Sequence, residues 1–143
     1  MNQWIFVDSD VIISSLISNT GAAHLLLFNI DNPIKRYISI FSLKELKIVT
    51  ERLEIDQKIL TRLIKYKFIV VKIKKTLAKI KQQYSSYVND PNDAHIVTGA
   101  IESKSRFLIT YNIKDYKIEN IKRDFGIIIF KPAQYLQYLR SIK

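Results

Sequence analysis

Residues 90–115 read DPNDAHIVTGAIESKSRFLITYNIKD, and this stretch decides the fold. Asp90 is a good N-cap and Pro91 suits the first position of a helix. Asp93 then opens a stripe completed by Ile96, Val97, Ala100 and Ile101, at offsets of three, four, seven and eight. That spacing predicts a helix with Asp93 on its apolar, inward face. Residues 106–110 (RFLIT) read as a strand, with Asn112 and Asp115 directly after it. A carboxylate turned inward at a helix start, with more acid beyond the next strand, predicts a functional site here.

The neighbouring segments extend this pattern. Residues 4–7 are a continuous apolar run ending at Asp8, as expected of a central parallel strand. Residues 11–18 (VIISSLIS) predict a short helix, and Thr20 caps a second one running to Ile30, before Asn32-Pro33 breaks the pattern. Residues 37–41 (YISIF) predict the second strand, and Ser42 the start of a helix with Leu43, Leu46 and Val49 inward and Glu45 in its first turn. A helix over 56–67, a strand over 68–73 and a basic helix over 74–88 follow. The fifth strand falls at 126–130 (GIIIF), and Pro132 opens the last helix. Strands alternating with helices predict an α/β fold with a mostly parallel five-stranded sheet, in one domain over 1–143.

Composition bounds the function. The balance of 48% hydrophobic and 25% charged residues suits a folded soluble protein. No apolar run approaches the ~18 residues of a membrane span, so no membrane role is expected. The start, MNQWIFVDSD, lacks a basic region and is not expected to be a signal peptide. With no cysteine there are no disulfides and no thiolate zinc site, which fits a cytoplasmic location. The formal charge is +10, and no acid interrupts the chain between Asp56 and Asp90. Lys72, Lys74, Lys75 and Lys79 lie in that interval, with Tyr66, Tyr84 and Tyr87 interleaved. Two readings stand side by side: a surface for RNA or DNA phosphates, or an ordinary solvated face.

In a parallel α/β sheet, strand C-termini and helix N-termini share one edge, where such folds place ligands. Asp8, Asp10, Glu45, Asp93, Asn112 and Asp115 all fall towards that edge. Capping is the competing explanation, because Ser42 to Glu45 has capping-box spacing and acids favour helix N-termini. It accounts for Glu45 or Asp93 singly, but not for an acid that ends an apolar strand or one on an apolar stripe. Carboxylates ~5 Å apart repel by roughly 3 kcal/mol at an effective dielectric of ~20. A hard divalent cation, Mg²⁺ or Mn²⁺, removes that cost. His24 and His95 are too few and too scattered for zinc. His24 is expected to pack or solvate, and His95 to lie on another face from Asp93.

Several segments resemble the PIN-domain family of metal-dependent ribonucleases, which includes toxins of bacterial toxin–antitoxin pairs. VDSDVIISSLIS resembles the opening strand and helix, SLKELKIV the segment bearing a glutamate, and DPNDAHIVTGAIESKSRFLITYNIKDY the third-acid helix and following strand. IIIFKPAQYLQYL resembles the last strand and helix. The resemblance implies a three-layer α/β/α fold with Asp8, Glu45, Asp93 and Asp115 as catalytic, metal-holding acids, Ser9, Asp10 and Asn112 in support, and Mg²⁺ or Mn²⁺ as cofactor. It also implies RNA as substrate, an antitoxin partner and a homodimer. The only sequence support for the dimer is Tyr135, Tyr138 and Leu139, apolar and aromatic residues that one small core need not consume. The chain departs from the family at Ser9 and Asp10, where Thr and Asn are usual, and at Tyr111, where Gly or Arg is frequent. A non-catalytic nucleic-acid-binding module of the same fold is the alternative. A response-regulator receiver domain fits less well, since residues 68–73 end in lysines rather than an aspartate.

Overall fold

The computed structural model describes residues 2–28 and 34–142. Five short strands form one sheet: β1 (Ile5–Val7), β2 (Arg36–Ser39), β3 (Ile69–Val71), β4 (Phe107–Ile109) and β5 (Ile128–Phe130). Their spatial order is β3-β2-β1-β4-β5, and every pairing is parallel. The helices among the described residues are α1 (Ser9–Ile17), α2 (Ala22–Phe28), α3 (Ile40–Arg52), α4 (Gln57–Lys67), α5 (Leu77–Tyr84), α6 (Ala94–Glu102), α7 (Ile118–Phe125) and α8 (Pro132–Ser141). None is long and apolar enough to cross a membrane.

Side-chain alternation along the strands builds two cores. Ile5, Val7, Ile38, Phe107 and Ile109 meet Val11 of α1, Leu26 of α2, Leu46 of α3, Leu60 of α4 and Tyr135 of α8 on one face. Phe6, Tyr37, Leu108 and Ile129 meet Ile80 of α5, Val97 of α6 and Ile121 of α7 on the other. The fold is therefore the expected three-layer α/β/α arrangement, with a sheet that is wholly parallel. On the second face α6 comes unusually near β1. A Cβ placed on Gly99 would lie 2.3 Å from Phe6 Cζ, so this approach requires a residue without a side chain.

The element boundaries depart from the sequence reading in ways that matter for the site. β2 stops at Ser39, whose hydroxyl accepts from the Ser42 backbone N–H at 3.1 Å and caps α3. Ile40 and Phe41, which read as strand, are already helical, because a satisfied cap outweighs their modest preference for strands. Ser42 is thus not the cap, and Glu45 lies in the second turn rather than the first. The basic helix is shorter than expected: Thr76 caps α5, which ends at Tyr84 before a 3-10 turn, Ser85–Tyr87. α7 had no counterpart in the sequence reading. Its Ile118, Ile121 and Phe125 face the core, and Gly126 closes it at φ 69°, the left-handed position glycine takes cheaply. Ile30 and the Asn32-Pro33 break lie outside the described residues. Tyr135 and Leu139 are buried and Tyr138 packs against the same core, so the last helix leaves no spare apolar face of the kind that argued for a dimer.

Candidate active site

The chain runs outward from β1 through β2 to β3, and from β4 to β5 on the other side, so the order switches between β1 and β4. Open α/β sheets bind ligands beyond the strand C-termini at such a switch. Val7 is in register with Ile109, which makes Asp8 and Thr110 neighbours just past the sheet. The Asp8 backbone N–H also donates to the Ile109 carbonyl at 2.9 Å.

Asp8 is held from three directions. Its Oδ1 accepts from the Ser9 backbone N–H at 2.7 Å. Its Oδ2 accepts from the Thr110 hydroxyl at 2.9 Å and from the Tyr116 phenol at 2.8 Å. The first bond makes Asp8 the N-cap of α1, which corrects the expectation that capping could not explain this residue. Capping does not use the second oxygen. Burial drives the Asp8 proton affinity up, and these donors only partly offset it.

Asp10, in the first turn of α1, places Oδ2 3.0 Å from the Tyr111 backbone N–H, which donates to it. Burial, and then the charge of Asp8, push its pKa up to about 7. Asp10 Oδ1 and the Ser9 hydroxyl are both buried and have no partner among the described residues. Buried polar atoms are seldom left so.

Asp93 follows Pro91 in the 3-10 turn leading into α6. Asp90 does the capping there, accepting from the Asn92 N–H at 3.0 Å, while Asp93 caps nothing. Asp93 is half-buried, and burial, followed by the charges of Asp8, Asp115 and Asp90, raises its pKa to about 6. Asp115 sits in a 3-10 turn after β4. That loop is fixed to the segment before α6: the Asn89 N–H donates to the Asp115 carbonyl and the Lys117 N–H to the Tyr87 carbonyl, both at 2.9 Å. Asn112 is exposed, and its backbone N–H donates to the Thr110 hydroxyl at 3.0 Å.

Glu45 reaches the same region through a residue the sequence reading had set aside. His95 Nε2 lies 2.8 Å from Glu45 Oε1 and bridges α6 to α3. His95 is 4% exposed, and its charge, when present, lowers the proton affinities of Asp8 and Asp93. It therefore reaches one of the candidate acids, Glu45, across from α3. Thr110 and Tyr116 were also missed. The bond from Tyr116 to Asp8 spans 108 positions, and nothing local to either residue signals it.

Lys72, Lys74 and Lys75 follow β3, so the parallel sheet brings them to the same edge as the acids. Lys72, Lys74 and Lys79 are exposed, and Lys75 donates to Gln83 Oε1 at 2.9 Å with its ammonium over the Tyr84 ring. The ion pairs among the described residues are His95–Glu45 and Arg123–Asp124, and none of these lysines takes part.

A family model for the PIN domain matches residues 5–114. The chain belongs to the PIN-domain family. PIN domains are generally divalent-metal-dependent nucleases. The fold of this PIN domain is shared with solved structures of low sequence identity. VapBC2 from Rickettsia felis bound to a promoter DNA fragment is 16% identical at a TM-score of 0.65, covering 90% of this chain and 98% of that one. A toxin–antitoxin complex from Klebsiella pneumoniae is 20% identical at 0.62, covering 90% and 97%. FitAcB from Neisseria gonorrhoeae is 16% identical at 0.58, covering 90% and 98%. No curated protein sequence matches the chain.

The donors of this PIN domain fit a hard divalent cation. They are all oxygens, burial and the Asp8 charge raise the proton affinities of Asp10 and Asp93, and Ser9 Oγ and Asp10 Oδ1 are buried without partners among the described residues. Among the described residues no three Asp, Glu or His side chains are gathered tightly enough to enclose an ion by themselves.

Proposed function

We propose that this PIN domain is a metal-dependent endoribonuclease that cuts RNA phosphodiester bonds in the cytoplasm, and that it is the toxin of a toxin–antitoxin pair. The observation that carries the reading is the pair Asp8 and Asp93 beside the switch point: Asp8 keeps an oxygen that capping does not use, Asp93 caps nothing, and the Asp8 charge raises the cost of ionising Asp93. Asp8, Asp93 and Asp115 are the residues assigned to hold Mg²⁺ or Mn²⁺, with Glu45 contributing directly or through water. A bound cation supplies charge that keeps these acids ionised, lowers the pKa of water and stabilises charge on the phosphate.

The chain's own groups do the rest. Thr110 and Tyr116 orient Asp8. The Tyr111 N–H orients Asp10, and the backbone N–H groups of Ser9 and Asn112 donate to Asp8 and to Thr110. Lys72, Lys74, Lys75 and Lys79 attract the phosphate backbone without reading its bases. The antitoxin partner is supported by the toxin–antitoxin complexes that share the fold. A homodimer rests on the family resemblance, since α8 does not supply its surface.

The test is RNA cleavage with Mg²⁺ or Mn²⁺ on a broad panel of substrates, alongside EDTA-treated protein. Chelator-sensitive cleavage supports the reading. RNA binding without cleavage by the metal-loaded protein would assign the chain instead to the non-catalytic nucleic-acid-binding module.

A further inference from the structure

His95 is buried and bonded to one of the candidate acids, Glu45. It stands two positions after Asp93, in the first turn of α6, and is 4% exposed. Its partner Glu45 has a side chain 52% exposed, so the pair joins a fixed donor to a carboxylate that is otherwise free to move. Phe41, one turn before Glu45 on α3, meets the imidazole edge-on with centroids 6.1 Å apart. Phe41 and Glu45 thus grip the same ring from a single helix face. His95 Nδ1 is buried with no partner among the described residues, whereas Nε2 has the carboxylate. A neutral ring with its proton on Nε2 leaves only a lone pair unsatisfied, and it donates to Glu45.

We propose that His95 is a positioning residue. Its Nε2–H ties Glu45 of α3 to the helix that carries Asp93, and so sets the separation of the two carboxylates towards a divalent cation. Glu45 Oε1 is occupied by the imidazole, which leaves Oε2 to face the cation or one of its waters. No other bond of the Glu45 side chain is present among the described residues, so without His95 the long side chain samples several rotamers and the ion meets it only part of the time. Outer partners of this kind typically change metal affinity or activity by about 10–100-fold.

This inference rests on the metal-dependent reading of the site, so its test measures metal binding directly, apart from cleavage. Mn²⁺ affinity is measured by calorimetry on the full chain for wild type, His95→Phe, His95→Gln, Glu45→Ala and the double variant His95→Phe/Glu45→Ala. Circular dichroism and thermal unfolding of each establish that it is folded. His95→Phe keeps a ring in the cavity but has no donor, and is expected to weaken Mn²⁺ binding about 10–100-fold. His95→Gln places an amide N–H near the Nε2 position and is expected to stay within about threefold of wild type, a rescue that a purely space-filling role would not give. In the Glu45→Ala background His95→Phe is expected to have no further effect. Unchanged Mn²⁺ affinity in folded His95→Phe, additive effects in the double variant, or no Mn²⁺ binding by wild type would each overturn the proposal. RNA cleavage by the same proteins separates the two claims. Wild type that binds Mn²⁺ with this coupling but cuts nothing upholds the positioning role and sinks the nuclease. Wild type that cuts while His95→Phe binds and cuts equally well does the reverse.

Discussion

The Tyr116 phenol donates to Asp8 Oδ2 at 2.8 Å and joins the end of β1 to the loop after β4. Thr110 donates to the same oxygen. Tyr116 is itself tied down by a bridge to Val88, so the phenol holds Asp8 from a fixed base. Burial and the neighbouring Asp8 charge push the Tyr116 pKa up, so the group remains a donor at any pH the protein meets.

Tyr116→Phe removes this donor and leaves the ring. The expected cost is about 1–2 kcal/mol of stability in urea denaturation, the range between a neutral and a charge-assisted hydrogen bond. Cleavage should fall further, by about 10–100-fold, because Asp8 loses one of the two side-chain donors on Oδ2. Cleavage equal to wild type would show that Thr110 and the Ser9 backbone suffice.

Gly99 sets how near α6 comes to β1. Gly99→Ala gains about 1 kcal/mol of helix propensity but must displace the Phe6 ring, which typically costs about 1–3 kcal/mol. Net destabilisation is expected in chemical denaturation, with lowered activity because α6 carries Asp93. Phe6→Leu introduced into Gly99→Ala should recover part of the loss. An alanine variant as stable as wild type would mean that the Phe6 ring can move at little cost.

The raised acids predict a pH dependence of definite sign. An ordinary aspartate releases its proton near 3.8, whereas Asp93 keeps it to about 6 and Asp10 to about 7. Between those values the unfolded chain has lost protons that the folded chain retains. The contribution of both groups is therefore full below the ordinary value and is lost as pH rises through about 6 to 7. Asp10→Asn removes one such group while keeping an oxygen for the Tyr111 N–H. Without metal, the gap in melting temperature between Asp10→Asn and wild type should move in favour of the variant from pH 5 to pH 8. Mn²⁺ should stabilise wild type more at pH 8 than at pH 5, since it competes with these protons. A gap that does not change with pH would contradict the assignment.

The basic edge makes a separable prediction. Replacing Lys72, Lys74, Lys75 and Lys79 with Gln should weaken RNA binding. On a single strand, the slope of log affinity against log salt should also become shallower, by about 0.7 for each phosphate that is no longer neutralised. Mn²⁺ affinity should be unchanged. An unaltered slope would make these lysines an ordinary solvated face.

Much of this was legible in the sequence because it rests on periodicity. The stripe from Asp93 to Ile101 gave α6, and the apolar runs ending at Asp8 and Thr110 gave the two strands that flank the switch point. What escaped were features decided by competition or by distance. Ser39 and Ser42 are both adequate caps, and the Ser42 backbone N–H gives the cap bond to Ser39, with Phe41 packed against the core. α7 is short and half charged, so its stripe of Ile118, Ile121 and Phe125 was easily passed over, although Gly126 marked its end. The partners of Asp8 and Glu45 come from residues 108 and 50 positions away, which no local pattern encodes.

RNA cleavage by this chain is proposed to need a divalent cation held by the acids at the switch point. The most direct measurement compares wild type with Asp93→Asn in an RNA-cleavage assay with Mn²⁺, with and without EDTA, after circular dichroism has established that both are folded. Asp93 caps nothing, so the substitution should cost little stability, about 1 kcal/mol at most from the helix dipole. Chelator-sensitive cleavage by wild type and a loss of several orders of magnitude in Asp93→Asn are expected. Undiminished, EDTA-resistant cleavage by folded Asp93→Asn would contradict the proposal.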